Sequence, residues 1–264
     1  MKFALLPLIT SLFVPQLTLA QGLLPTTGYQ DVQEEQEENE KRSHQVTPEW
    51  VIELSNLSES DRNAYLQAFQ AAKRAYAANR LAVCESHLNT CELYFTENPN
   101  VWILRSSVLI SQGQYDKAER YLNKAEKADP DNSVIKLNKA LLHMAVGDYK
   151  AALRETDDLL YQMGLSANTY GTRRSLTYRK FLCLLMLDKE TEARELIADI
   201  SPMDDSPLFY YCEAAFCMLR GDTATATREL NTADAIFARD GHLPSYKQNL
   251  MLSGLRDKIS KKKP

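Results

Sequence analysis

Apolar residues are distributed unevenly along the chain. A mostly apolar run from Phe3 to Val14 is followed, from Gln21 to about Gln45, by a stretch almost without them, in which Glu34, Glu35, Glu37, Glu38 and Glu40 crowd together. Further on the pattern becomes periodic. Gly113-Gln114-Tyr115-Asp116-Lys117-Ala118 returns 34 residues later as Gly147-Asp148-Tyr149-Lys150-Ala151-Ala152. That interval is the length of a helix–turn–helix unit, and such units must stack side by side, because one helix pair alone cannot bury its apolar faces. The pattern predicts an all-α chain of stacked helix pairs.

The best unit runs from Pro99 to Asn132. It has Trp102 as an early anchor in its first helix (helix A), Ser106 as a small residue there, and Gly113 at the turn. Tyr115 opens the second helix (helix B), Ala118 and Ala125 lie two helical turns apart on it, and Pro130 closes the unit. These residues resemble the tetratricopeptide repeat. The next unit repeats the pattern with Ala140, Gly147, Tyr149, Ala152 and Leu159. One period upstream, Ala72, Cys84 and Cys91 fall on the small positions of a degenerate first unit, whose closing Pro99 comes three residues late. Downstream, Tyr210, Ala214, Gly221, Ala226, Leu230 and Ala233 restore a good unit. Between them lies a poorer one with Phe181, Ala193 and Ile200, after an insertion of about seven residues around Gly164–Gly171 that reads as a loop.

The resemblance implies a right-handed superhelical solenoid of about five such repeats over residues 60–260. An amphipathic segment from Pro244 to Lys258 is expected to cap its open end with a polar outer face. Small residues let helices A and B approach closely, so their ridges interlock. Gly113, Gly147 and Gly221 sit where a helix must stop and reverse through a left-handed residue.

The N-terminal part reads differently. Lys2, the short apolar run and Thr18-Leu19-Ala20 have the form of a secretory signal peptide (residues 1–20) cut before Gln21, which predicts an exported protein, periplasmic or secreted. The run is too short to span a bilayer, so no stable membrane insertion is expected after cleavage. Residues 21–45 read as an acidic disordered leader. Thr47-Pro48-Glu49-Trp50 starts a short helix within residues 46–59, and Ser58 with Asp61 starts the first repeat.

The formal charge of −4, with its only basic cluster at Lys261-Lys262-Lys263, argues against a nucleic-acid partner. Cys84 and Cys91 are a helical rise of about 10 Å apart, too far for a disulfide, and stand where the repeat wants alanine. Cys183 and Cys217 lie at near-equivalent places of neighbouring A helices, which leaves a bridge between them open. The four histidines form no metal-binding pair, and no nucleophile elbow, phosphate loop or dinucleotide fingerprint is present. The expectation is therefore no enzyme, no metal and no cofactor.

By resemblance, partners bind the concave face, which helix A lines. Its positions map to Leu66, Phe69 and Tyr76, then Ile103 and Ile110, then Leu137, Leu141 and Met144, then Tyr178, Leu182 and Leu185, and last Leu208, Tyr211 and Met218. The stripe is apolar and aromatic. Spacing alone leaves two readings, a groove for a protein or peptide and a packed core. The groove reading implies a non-catalytic scaffold in the bacterial envelope, and its alternative is a periplasmic holdase for unfolded or apolar clients.

Overall fold

The computed structural model describes residues 47–163 and 169–260. The signal-peptide and leader expectations, Gly164–Asn168 of the insertion and the lysine run lie outside the described residues. The chain divides into two compact units, Met1–Arg62 and Asn63–Pro264.

In the first unit, α1 (Glu49–Asn56) begins directly after Pro48 and buries Leu54. The Ser58 hydroxyl accepts from the Asp61 backbone N–H at 3.1 Å and donates to its carboxylate at 2.7 Å. That exchange opens α2 (Glu59–Ala77) by satisfying a first-turn donor that the helix leaves over.

The second unit is an all-α helical-repeat solenoid. Its helix pairs are α2 with α3 (Leu81–Tyr94), α4 (Pro99–Ser111) with α5 (Tyr115–Ala128), α6 (Ser133–Ala145) with α7 (Tyr149–Gln162), α8 (Tyr170–Met186) with α9 (Glu190–Leu196), and α10 (Leu208–Leu219) with α11 (Thr223–Ile236). Two short helices follow, α12 (Leu243–Leu252) and α13 (Leu255–Ser260).

Each A helix ends in the same way. Asn79, Gly113, Gly147, Asp188 and Gly221 have φ of +54°, +74°, +84°, +60° and +79°. The N–H of the following residue then bonds back five residues: Arg80 to Ala75, Gln114 to Leu109, Asp148 to His143, Lys189 to Leu184 and Asp222 to Cys217, all at 2.8–2.9 Å. This is the Schellman closure, which satisfies carbonyls left open at a helix end. The next residue starts helix B at once: the Asp148 and Asp222 carboxylates accept from the Ala151 and Thr225 N–H groups.

Between paired helices the contact residues are small and fully enclosed. Ala72, Ser106, Ala140 and Ala214 in the A helices are buried, as are Cys84, Cys91, Ala118, Ala125, Ala152, Ala226 and Ala233 in the B helices. Trp102 is buried with the Lys124 ammonium 3.8 Å above its ring centre. Tyr115 and Tyr149 are half-buried, and Pro130 is exposed in the turn after α5.

Three expectations are corrected. Pro99 does not close the first unit; it is the first residue of α4, and Asn98 before it accepts from the Asn100 N–H at 2.8 Å. The insertion is shorter than read, since Tyr170 and Gly171 already belong to α8. In the fourth unit α9 ends at Leu196, so Ile200 lies beyond the helix. Phe181 occupies the position that is Ala or Ser in the other A helices, and its ring packs edge-on against Phe216 at 5.1 Å.

Candidate functional site

The C-terminal segment lies along the A helices, reaching side chains of α2, α4 and α8. The expected cap over the open end is not what forms. Pro244–Lys258 breaks at Gly254 (φ +69°) into α12 and α13; α12 packs on α6 and α8, and α13 on α8 and α10. The outer side of α11 is left to solvent, with Ala224, Thr227, Asn231, Ala235 and Ile236 exposed or half-exposed.

The fit of α12 rests on an aromatic cluster and a set of polar bonds. Tyr246 sits between Tyr178 and Tyr211, with ring centres 5.4 and 5.3 Å away, and these two meet each other edge-on at 5.5 Å. Around the cluster, Leu243, Tyr246, Asn249, Leu250, Ser253 and Leu255 are buried. Gln248 donates to the Tyr76 hydroxyl on α2 at 3.0 Å and to Ser111 on α4 at 3.3 Å. Ser245 meets Ser175 of α8 at 2.5 Å, and the Tyr149 hydroxyl donates to the Ser253 carbonyl at 3.0 Å. The Lys258 ammonium donates to the carbonyls of Leu185 and Met186 and to the Asp188 carboxylate, placing a cation at the negative end of α8.

At the centre lies Arg179. Its Nε donates to Asn249 Oδ1 at 3.0 Å and its Nη1 to the Leu137 carbonyl at 2.9 Å. Burial disfavours its charge and pulls its pKa down to about 10, so the guanidinium still carries its proton at neutral pH. The Asn249 carboxamide that it bonds leaves Nδ2 buried with no hydrogen-bond partner, and in the aromatic cluster the Tyr178 hydroxyl has none either. Burial also drives the Tyr178 phenol well above its ordinary range.

The stripe expected as an open groove is mostly interior. Leu141, Met144, Tyr178, Leu182, Leu185, Tyr211 and Met218 are buried, as are Phe69, Ile103, Ile110 and Leu208, while Leu137, Leu66 and Tyr76 are half-buried. The groove reading is therefore corrected over α6, α8 and α10. There the apolar side chains meet each other, α12 and α13, and what remains accessible of the face is concentrated on α2. The sequence reading missed Ser245, Tyr246, Gln248, Asn249 and Lys258. A signal was present: Tyr246, Asn249, Leu250 and Ser253 share one helical stripe, and polar groups inside an apolar stripe require specific buried partners.

The site offers contacts rather than reactive groups. All five cysteines are free thiols, Cys183 and Cys217 included. Burial pushes Cys84 up to about 11 and Cys91 and Cys183 up to about 12, so none is a thiolate near pH 7. Among the described residues no three His, Cys, Asp or Glu side chains converge as a metal site, and no helix is long and apolar enough to cross a membrane.

Residues 109–167 match a family model described as tetratricopeptide repeat. The crystal structure of a tetratricopeptide repeat protein from Parabacteroides merdae is similar over 84% of this chain and 80% of its own, at 16% identity and a TM-score of 0.51. A solved structure of Pseudomonas aeruginosa pilF is similar over 78% of this chain and 100% of its own, at 12% identity and a TM-score of 0.48. No curated protein matches the chain.

Proposed function

We propose that this chain, which matches the tetratricopeptide-repeat model over residues 109–167, is a non-catalytic repeat scaffold that binds a protein or peptide partner through its A-helix face, in the bacterial envelope. One observation carries the reading. The A-helix face already holds a helix, α12, through side chains that come from α2, α4 and α8. A surface built to grip a helical segment along its length is a recognition surface. The apolar stripe beneath α12 is covered, which favours a defined partner over a holdase that would present such a stripe to many unfolded chains. The envelope assignment rests on the form of residues 1–20.

Site-specific photo-cross-linking tests the face. With the photoreactive residue at Tyr76 on the A-helix face, or at exposed Lys117 on the outside of α5, a defined saturable adduct is expected only from position 76. Adducts formed only from position 117 would place recognition elsewhere. Intact-mass measurement of the same material should show a chain beginning at Gln21; a chain retaining Met1 would remove the export assignment.

A further inference from the structure

The segment that covers the A-helix face is not a further repeat unit. Gly254 is left-handed like the residues that end the A helices, but the Leu255 N–H bonds to Ser253 Oγ at 3.2 Å instead of five residues back. Helices α12 and α13 pack on α6, α8 and α10 instead of on each other as a pair. The segment's neighbours hold it by side-chain bonds and by burial of Leu243, Tyr246, Leu250 and Leu255, whereas the helix pairs beneath it are joined through closely packed small residues.

The complementarity is also incomplete at its centre, and in a particular direction. The Arg179 side chain is 6% exposed, and both acceptors of its hydrogen bonds, Asn249 Oδ1 and the Leu137 carbonyl, are neutral. On the same carboxamide, Nδ2 is a buried donor with nothing to donate to. A carboxylate in place of that carboxamide would correct both faults together. It would give the guanidinium, which the Glu155 carboxylate reaches only through space, a charge-assisted bond, and would present only acceptors where a donor is now stranded.

We infer that α12 and α13 are a displaceable internal occupant of the A-helix face, holding the place of a partner helix that carries an aromatic at the Tyr246 position, an acidic side chain at the Asn249 position and leucine at the Leu250 position. This rests on the scaffold reading above and adds to it the chemistry of the partner and the way access is controlled. The chain's own helix is close enough to the ligand to fill the face, and its carboxamide makes it the weaker of the two. Partner binding then releases residues 243–260 from the surface.

The test uses the full-length chain and two fluorescent peptides spanning residues 243–260, one with the native sequence and one carrying Asn249→Asp. The Ser175 and Ser245 hydroxyls already lie 2.5 Å apart, so Ser175→Cys with Ser245→Cys in one chain gives a disulfide that locks α12 in place and a dithiol that does not. By fluorescence anisotropy, the reduced protein should bind the Asn249→Asp peptide about ten-fold more tightly than the native one. The oxidised protein should bind neither. In the full chain, Arg179→Gln should erase the difference between the peptides. Equal affinity of the two peptides for the reduced protein would overturn the acidic partner. Binding that survives oxidation, or its absence in both redox states, would overturn displacement. If the locked protein still yields the adduct at position 76, the scaffold reading stands and this inference falls; loss of that adduct from the unlocked chain would instead remove the scaffold reading.

Discussion

Five A helices end on a residue with positive φ, and the residue type varies where the geometry does not. Gly113, Gly147 and Gly221 adopt it without a steric cost, while Asn79 and Asp188 adopt it as the two side chains that best tolerate the left-handed region. At Gly113 an added Cβ would meet nothing within 4 Å, so substitution there isolates the backbone term. Gly113→Ala should lower stability by roughly 1–2 kcal/mol and Gly113→Asn by less. Urea midpoints at unchanged slope measure both, and an Ala variant as stable as the parent would mean that this turn relaxes out of the left-handed region. The glycine turns are legible in the sequence because glycine repeats at the period. Asn79 and Asp188 are not, since asparagine and aspartate are ordinary surface residues, and the insertion before α8 displaces Asp188 from the register.

Paired helices approach according to what stands at a few enclosed positions. Ala118 is fully buried between α5 and its neighbours, and a larger side chain has no space to enter. Ala118→Leu should therefore overpack the contact and cost roughly 1–3 kcal/mol. The fourth unit shows the opposite solution. Phe181 is as enclosed as the alanines it replaces, but its partner helix α9 is only seven residues long and Phe216 of the next unit packs on its ring. Phe181→Ala should leave a cavity and cost about 3–5 kcal/mol, although alanine or serine is what the other units carry there. Thermal and urea unfolding of both variants check the pair. A neutral Phe181→Ala would show that α8 and α9 can close up to the spacing of the other units. That this unit is poorer was visible in the sequence as Phe181. That its B helix stops at Leu196 was not, because helix length here is set by packing between units rather than by residues within it.

At the scale of the whole repeat array, the stripe read from the sequence falls on the A helices, but the sequence cannot say what lies on it. The deciding contacts join residues far apart in the chain: Arg179 with Asn249, Tyr178 with Tyr246, and Tyr76 with Gln248. No local periodicity encodes such pairs. Burial along the stripe gives the arrangement a direct test, because Tyr178 is fully enclosed while Leu66 of α2 is half-exposed. Tyr178→Glu should place an uncompensated carboxylate in the interior and cost about 3–5 kcal/mol at pH 7. Leu66→Glu can hydrate its charge, so its cost should stay near that of an ordinary surface change, within about 1 kcal/mol. The pH dependence of the first variant has a definite sign. A buried carboxyl has a folded-state pKa above its unfolded one, so its charge weakens the fold at neutral pH. Stability should then return as pH falls through the folded value and the group takes up its proton. Circular dichroism melts of the two variants and the parent at pH 7 and pH 5 check all of this. Equal losses at positions 66 and 178, or a Tyr178→Glu variant as stable as the parent at pH 7, would mean that α12 does not cover the face in solution.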